Sequence, residues 1–371
     1  MIKYIIRRLI GLIPIVIGVA VLSFMLMQLA PGGPESAIQG AQRRLTFEQI
    51  DAWLARWCLE RENDFVAVLR QFGGWVGVLN CQREGLDQFF SNQGGLNVLP
   101  GFLGGGDNGL LHGDLGRSTQ TGRPVLDMIR ERVPGTLFLT ITALVLWVTI
   151  AVLAGAYAAV KRYSFFDQAL TFFAYVFYSL PTFWLGLMLI FTFGPALSLL
   201  PTGGVVSARE WAAFGSPQFW DQAIGRPVEA FVDIGRHLIL PVTTLVMVNI
   251  AADSRFVRAS MLDSLSQDFV RTARAKGLPG RVVVGKHAFR NAMLPVVTNV
   301  ALEIPFLFSG AVVTESIFAW PGMGRLFIES LGARDYFVLM GLILVTSFFI
   351  LLANVIADVV YAIVDPRIRY D

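Results

Sequence analysis

The chain has 371 residues, of which 54% are hydrophobic and only 15% are charged. Soluble domains carry about 25% charged residues, so this composition indicates a protein that resides in a membrane. The net charge of +3 argues against nucleic acid as a partner, and two cysteines are too few for a disulfide scaffold.

The N-terminus begins with basic residues and continues as an apolar stretch over 9–30. A cleaved signal peptide is the alternative, but its apolar region has about 7–15 residues and ends at a small-x-small cleavage site. The stretch here is longer, and the sequence QLAP at 28–31 is a poor cleavage site. We therefore predict that 1–30 hold a cytoplasmic N-terminus and a retained first transmembrane helix.

The long segment 31–134 is predicted to be an external domain of helices and irregular structure. Thr46 and Gln49 are spaced as the N-cap and N3 residues of a capping box. Apolar residues then recur at helical spacing and include Trp53 and Trp57. These tryptophans either dock a partner protein or pack the segment against the membrane helices.

Cys58 and Cys81 both lie in this external segment, where the surroundings are oxidising. A disulfide between them and two buried free thiols are equally consistent with the sequence. The stretch 104–109 matches G-x-G-x-x-G, but no convincing strand precedes it and no long helix follows, so we do not expect it to bind a dinucleotide. No metal site is expected, because the three histidines are scattered.

Five further stretches are apolar over the length of about 20 residues that a helix needs to cross the hydrocarbon core. They are the segments 135–160, 168–194, 237–257, 291–317 and 337–364. With the first stretch they make six spans, so the predicted fold is an all-α polytopic membrane protein with both termini on one side. The segment 135–364 is then a five-helix core, followed by a short tail over 365–371.

Basic residues in short loops set the orientation of such a bundle. The basic N-terminus, Lys161 and Arg162, the loop 258–290 and the tail 365–371 would all lie on the same side. We therefore predict that both termini and the loop 258–290 are cytoplasmic.

The loop 258–290 contains the most basic short segment of the chain. Residues 268–276 can form a helix, and the sequence GLPG at 277–280 would end it sharply. The stretch 280–287 matches a P-loop through Lys286, but His287 stands where a Ser or Thr would hold magnesium. We therefore predict no nucleotide site here. We interpret the loop as the place where another protein drives this one, and a solvated loop attracted to anionic lipid headgroups is the alternative.

Short motifs follow one another along the chain in a recognisable order. They are APGGP at 30–34, GDLGRS at 113–118, RTARAKGL at 271–278, HAFRNA at 287–292, ESIF at 315–318, PGMG at 321–324, RD at 334–335 and DPR at 365–367. Together they resemble the inner-membrane permease subunit of dipeptide and oligopeptide ABC importers. The general importer-permease signature has an acid-Ala-Ala triplet where this chain reads RTA at 271–273, and a shorter distance to the proline at 295. Both departures resemble the peptide subfamily.

This resemblance implies six transmembrane helices of the ABC importer permease type and a coupling helix that seats on a separate ATPase subunit. The coupling residues that it implies are Asp268, Arg271, Thr272, Ala273, Arg274, Ala275, Lys276, Gly277 and Leu278. It also implies a second permease subunit, two ATP-binding subunits that hold ATP and magnesium, and an extracytoplasmic substrate-binding protein in a prokaryotic inner membrane. This chain itself would hold no cofactor and no catalytic residue.

Polar residues inside the spans are candidates for the substrate pathway, because such groups are costly in a membrane. The candidates are Glu303, Asn249 and Asn354. Glu303 is best placed to meet the amino terminus of a peptide. The alternative role for Glu303 is a hydrogen bond to the second permease subunit. Asp358 is predicted to be structural, and Glu315 to fix the loop that follows it.

Other functions are weighed against peptide import. The same architecture imports nickel chelates or glutathione in related permeases. An ion-coupled secondary transporter would favour inverted repeats with matched broken helices, which the sequence does not show. A structural scaffold would leave the ordered basic motif unexplained.

Overall fold

A computed structural model of the chain describes residues 2–29, 72–73, 75–76 and 110–364. Within those ranges the chain is helical and has no β-strand, apart from an isolated bridge between Arg117 and Pro124. The predicted all-α fold is confirmed. The predicted capping box at Thr46, the two tryptophans after it, Cys58 and Cys81 lie outside the described residues.

Beyond residue 125 most of the helices are joined by short connections, and a longer connection covers 197–216. In chain order they are α1 (Ile2–Leu29), α2 (Val125–Val160), α3 (Phe165–Ser179), α4 (Thr182–Phe191), α5 (Pro217–Gly225), α6 (Pro227–Ser266), α7 (Asp268–Ala275), α8 (Gly280–Val282), α9 (Arg290–Glu303), α10 (Phe306–Ser309), α11 (Val312–Ile317), α12 (Met323–Ala333) and α13 (Tyr336–Val364). Wider π-helical turns occupy Thr192–Ala196 and Val283–Phe289, and a 3₁₀ turn occupies Leu110–His112.

Several of these helices can cross a bilayer. Four segments of the described chain are long and apolar enough, namely Val125–Val160, Pro227–Ser266, the run Gly280–Phe308 and Tyr336–Val359. α3 and the segment Thr182–Ala196 qualify only as a pair, and the apolar part of α1 over Ile10–Leu26 is shorter. The described residues therefore contain four candidate spans, or five if the pair is one span, and the count of six stays a prediction.

A proline interrupts one of the apolar stretches and a glycine interrupts another. The α3–α4 pair bends by 101°, because a residue before proline avoids helical geometry. Leu180, which precedes Pro181, accordingly adopts φ −82° and ψ 132°. In the stretch 291–317, the helical run ends at Gly310, which has φ 80°, and Val312–Ile317 form a separate short helix.

The chain divides into two compact units. The first comprises Met1–Ile10, Arg132–Leu326 and Phe349–Asp371, and the second comprises Gly11–Glu131 and Phe327–Phe348. In the first unit, α6 packs against α9 through Val257, Met261 and Val296, and a second apolar cluster surrounds the buried Trp320.

The second unit contains a clamp formed by two of the sequence motifs. Asp335 is 3% exposed. Its carboxylate accepts hydrogen bonds from the Ser118 hydroxyl at 2.5 Å and from the Thr119 backbone N–H at 3.3 Å. The GDLGRS motif at 113–118 and the RD motif at 334–335 therefore meet in space and hold the segment before α2 against the turn before α13.

We expect Asp335→Ala to destabilise the protein by about 1–3 kcal/mol, because the buried Ser118 hydroxyl and Thr119 N–H would lose their acceptor. The measurement is the thermal unfolding midpoint of the detergent-solubilised protein. The matched control is Asp127→Ala. The Asp127 side chain is half-exposed, and its carboxylate lies 3.9 Å from the Arg130 guanidinium. Equal midpoints for the two variants would contradict this prediction.

Candidate functional site

The basic helix α7 has well-defined ends. Asp268 lies in its first turn, where a negative charge complements the helix dipole. At the other end, the Gly277 N–H donates to the Arg274 carbonyl at 2.9 Å and the Leu278 N–H donates to the Ala273 carbonyl at 3.3 Å. This pair of bonds is a Schellman motif, and Gly277 has the positive φ of 73° that the motif requires.

One face of α7 is packed onto the rest of the protein. Val270 and Ala273 are buried in a cluster with Val283 and Ala288. The Ser264 hydroxyl, near the end of α6, donates to the Ala288 carbonyl at 2.7 Å. A second hydroxyl, that of Ser260, donates to the Ala292 carbonyl at 2.7 Å. The basic helix is therefore attached to both α6 and the helical run that leads into α9.

The other face of α7 is open to a partner. Of the sequence-predicted coupling residues, those that are exposed are Asp268, Arg271, Thr272, Arg274, Ala275, Lys276, Gly277 and Leu278. Further exposed basic residues follow at Arg281, Lys286 and Arg290. Ala273 is buried, so of the two alanines in the motif only Ala275 can allow close approach of another protein.

The stretch that matches a P-loop is helical in the structure. Pro279 precedes α8, and the N–H groups of Val282 and Val283 both donate to the Pro279 carbonyl. A P-loop uses free backbone N–H groups to cradle phosphates. Here the N–H groups of Val282 and Val283 are already used in helical hydrogen bonds. The geometry therefore agrees with the prediction that nucleotide is not bound here.

A polar cluster lies between α2, α6 and α9. The Asp253 carboxylate accepts hydrogen bonds from the Trp147 indole N–H at 3.0 Å and from the Asn299 amide at 3.2 Å. Glu303 is half-buried and lies within electrostatic range of Asp253. The structure thus places one predicted pathway residue beside an acid that was not among the three candidates.

The other two pathway candidates differ in their surroundings. Asn249 is half-buried on α6, and its amide donates to the Leu245 carbonyl of the same helix at 2.8 Å. Asn354 is exposed on α13 and shares no described hydrogen bond with the Asp253 cluster.

Asp253, Trp147 and Asn299 are the members of the cluster that lie outside the three predicted pathway candidates. A signal for Asn299 exists, because it precedes Glu303 by four residues, as Asn249 precedes Asp253. Residues four apart share a face of a helix. Both pairs therefore form short polar stripes on otherwise apolar helices.

A buried carboxylate organises the chain between α11 and α12. Glu315 is fully buried and accepts hydrogen bonds from the Thr136 hydroxyl at 2.9 Å and the Arg325 N–H at 3.1 Å. The Thr136 hydroxyl also accepts the Met323 N–H at 2.7 Å. The Trp320 indole N–H donates to the Gly135 carbonyl at 2.8 Å, so Gly135 and Thr136 of α2 bond the PGMG motif and the residue before it.

Two glycines of the PGMG motif leave room for this carboxylate. A Cβ atom at Gly322 or Gly324 would lie within 3.0 Å of the Glu315 side chain. Glu315 lies outside the candidate spans, and burial raises the pKa of its carboxyl, while hydrogen bonds from Thr136 and from backbone N–H groups oppose that rise. Glu315 therefore holds the loop after it, as the sequence indicated.

No group of three His, Cys, Asp or Glu side chains in the described ranges has the geometry to hold a metal ion.

Comparison with known families now adds to this geometry. Residues 151–370 match the model of a family described as the binding-protein-dependent transport system inner membrane component. The match includes α7, Asp253, Asn299 and the Glu315 loop, and it begins just after Trp147. This chain belongs to that family.

The permease is also similar over its whole length to characterised relatives. It is 34% identical over 371 residues to the oligopeptide transport system permease protein AppB of Bacillus subtilis (strain 168), with 100% of both chains covered. It is 34% identical over 374 residues to the dipeptide transport system permease protein DppB of Escherichia coli (strain K12), with 100% of this chain and 99% of the relative covered. It is 36% identical over 370 residues to the glutathione transport system permease protein GsiC of Escherichia coli O6:H1, with 100% of both covered.

The resemblance drawn from the short motifs is thereby confirmed. The permease is a multi-pass component of an inner-membrane transport system, and its relatives move peptides or glutathione.

Proposed function

We propose that this permease is the membrane subunit of an ATP-driven importer that carries dipeptides or oligopeptides across the cytoplasmic membrane. The observation that supports this function best is the geometry of α7. It is a short basic helix that is packed on one face and exposed on the other, and such a helix suits a rigid contact with a separate protein.

Coupling would proceed through that contact. The exposed Arg271, Arg274 and Lys276 can pair with acidic groups on an ATPase subunit. Because Val270 and Ala273 pack α7 against Val283 and Ala288 of the turn that leads into α9, and Leu265 of α6 packs on the same cluster, a displacement of α7 would be passed to α6 and, through that turn, to α9. ATP-driven closure of the ATPase pair would then bias the bundle between inward-open and outward-open states, which requires different contacts in each state.

The orientation follows from the same assignment. With α7 against an ATPase, the loop 258–290 and both termini lie in the cytoplasm, and the segment 31–134 lies on the outside with the substrate-binding protein. ATP and magnesium would be held by the two ATP-binding subunits, and this chain would perform no catalysis. A second, homologous permease subunit would complete the pathway.

The pathway residues that we propose are Glu303, Asn249 and Asn354. Glu303 extends the polar stripe that begins at Asn299 and lies near Asp253. Together, these two acidic groups would attract the amino terminus of a peptide as it passes.

Glutathione is a second candidate substrate, because one full-length relative is a glutathione permease at 36% identity. Nickel chelates are a third. The substrate-binding protein selects among them. A binding assay on that protein with dipeptides, longer peptides, glutathione and a nickel chelate would decide between these substrates.

The assembly is tested by purifying the tagged permease from its native membrane in mild detergent and identifying the proteins that accompany it. We expect a second permease and ATP-binding subunits, and ATP-dependent peptide uptake once the complex and its binding protein are reconstituted in liposomes. A permease that purifies alone and transports without ATP would show that the importer assignment is incorrect.

We expect Glu303→Gln to reduce the preference for peptides with a free amino terminus, because it removes a negative charge near the polar cluster. The measurement is uptake of a dipeptide and of its N-acetylated form by the reconstituted complex. Glu210→Gln is the control, since Glu210 is an exposed acid in the connection before α5. An unchanged ratio of the two uptake rates would remove Glu303 from the pathway.

A further inference from the structure

The turn between α2 and α3 places positive charge in a long apolar part of the chain. Between Arg132 and Arg209 the charged residues are Lys161, Arg162 and Asp167. From residue 133 onwards α2 is therefore free of charge, and the two cations follow its last residue directly. Basic residues in a short turn after an apolar helix are typical of the cytoplasmic edge of a span.

The structure brings this turn beside the start of the predicted cytoplasmic loop. Ala159, near the end of α2, packs in one cluster with Val257 of α6. The Arg258 guanidinium makes two hydrogen bonds with the Asp167 carboxylate of α3, at 2.5 Å and 2.8 Å. The sequence ends one predicted span at residue 160 and another at Val257, so the ends of two predicted spans lie side by side. This agreement assigns the turn to the membrane surface.

Asp167 does not neutralise the two cations of the turn. It is 3% exposed, and both of its oxygens accept hydrogen bonds from Arg258. One of these oxygens also accepts the Tyr163 N–H at 2.9 Å. Lys161 and Arg162 are exposed, and neither forms an ion pair with another described residue. The turn therefore presents a net positive charge to its surroundings.

Local hydrogen bonds fix the shape of the turn. Tyr163 has φ 64°, a left-handed conformation that is uncommon for a residue with a side chain. Its N–H is held by Asp167, and its carbonyl accepts the Gln168 side-chain amide at 3.1 Å. The Ser164 N–H donates to the Lys161 carbonyl at 3.0 Å. Such a conformation persists where the surrounding contacts hold it, and it is frequent at sites that bind ligands.

Aromatic rings accompany the charges. The Arg162 guanidinium carbon lies 4.5 Å from the centre of the Tyr163 ring, which is a cation–π distance. Tyr163 is 69% exposed and Phe165 is 89% exposed. Exposed rings beside basic residues suit the membrane interface, where the rings lie among headgroups and the cations meet anionic lipids.

We propose that Lys161, Arg162, Tyr163 and Phe165 form a binding site for an anionic phospholipid of the cytoplasmic leaflet. The two cations bind the phosphate, and the Phe165 ring packs on the upper part of the acyl chains. The occupant is a lipid because the turn directly continues an apolar helix, so its cations lie level with the headgroups. The inference goes beyond the proposed function and rests on it only for the side of the membrane.

The site is tested by placing a photo-reactive benzoyl-phenylalanine at Phe165, which exchanges one exposed aromatic side chain for another. The full chain, with the subunits that purify with it, is reconstituted in liposomes of equal amounts of phosphatidylglycerol and phosphatidylcholine. After irradiation, we expect mass spectrometry to find at least three times more adduct with phosphatidylglycerol. Equal amounts of the two adducts, no lipid adduct, or an adduct with a protein would overturn the proposal.

The charges are tested by Lys161→Gln with Arg162→Gln in the same photo-reactive background. We expect the ratio of the two lipid adducts to fall to about one. Arg281→Gln with Lys286→Gln is the matched control, because it removes two exposed basic residues on the same predicted side. We expect this control to leave the ratio unchanged. A ratio that survives the first pair, or that falls equally in both, would show that the turn is not a specific site.

Tyr163→Gly tests the ring while it keeps the shape of the turn, because glycine adopts a positive φ readily. We expect the ratio to fall by about half, since the two cations remain and the cation–π contact is lost. An unchanged ratio would remove Tyr163 from the site.

The outcome is separable from that of the proposed function, because the adduct ratio depends on neither ATP nor uptake. Both leaflets of these liposomes have the same composition, so the ratio does not depend on orientation either. ATP-driven uptake without enrichment of phosphatidylglycerol would overturn the lipid site alone. Enrichment in a permease that purifies alone and transports without ATP would overturn the proposed function alone.

Discussion

Gly322→Ala is expected to prevent the permease from accumulating in a folded form. A methyl group at this position would lie within 3.0 Å of the Glu315 carboxylate. That carboxylate cannot retreat, because the Thr136 hydroxyl and the Arg325 N–H hold its two oxygens. Overpacking of this kind lowers the free energy of unfolding by about 1–3 kcal/mol. Because the Glu315 carboxylate is held in place, we expect a loss at the upper end of that range.

The measurement is the amount of monodisperse protein after detergent extraction, together with its thermal midpoint. Gly332→Ala is the matched control, since no atom lies within 4 Å of a Cβ there and alanine suits a helix better than glycine. Adding Glu315→Ala to Gly322→Ala should recover part of the loss, because the shorter side chain removes the clash. Equal behaviour of Gly322→Ala and Gly332→Ala would show that the Glu315 loop is not rigid.

Gly277→Pro is expected to uncouple the permease from its ATPase and to lower ATP-driven uptake about a hundred-fold. Gly277 has φ 73°, whereas proline requires φ near −65°. The substitution also deletes the N–H that donates to the Arg274 carbonyl. Both effects displace the end of α7, while the spans on either side retain their packing, so the chain should remain in the membrane.

Uptake in proteoliposomes and the amount of co-purified ATPase are the two readouts. Gly280→Ala is the control, because a Cβ there meets no atom within 4 Å and the backbone does not need glycine. A double reversal, Arg271→Glu with Arg274→Glu, tests the charges of α7 without changing its backbone. Undiminished uptake with normal ATPase association in these variants would contradict the coupling role.

The parts of the fold that the sequence predicts well are those with local causes. The end of α7 at Gly277 follows from a glycine and a proline that break the helix nearby. The bend between α3 and α4 sits at Pro181 for the same kind of reason. Long apolar stretches likewise predict helices, since their length and composition alone suit a bilayer.

The parts that the sequence does not predict depend on distant partners. Glu315 and Thr136 are 179 positions apart, and Trp147 and Asp253 are 106 positions apart, so no local pattern joins them. The burial of Ala273 cannot be predicted locally either. The eight residues of α7 do not reveal which of its faces Val283 and Ala288 will cover. In each case the deciding contact comes from tertiary packing.

The π-helical turn over Val283–Phe289 has a consequence for the spacing of the residues on either side of it. A wide turn takes up an additional residue without breaking the helix around it. Val270 and Ala273 anchor the chain before this turn, and the Ser260 bond to Ala292 anchors it afterwards. The wide turn therefore contributes to the long spacing between Gly277 and Pro295 while the contacts on both sides of it are kept.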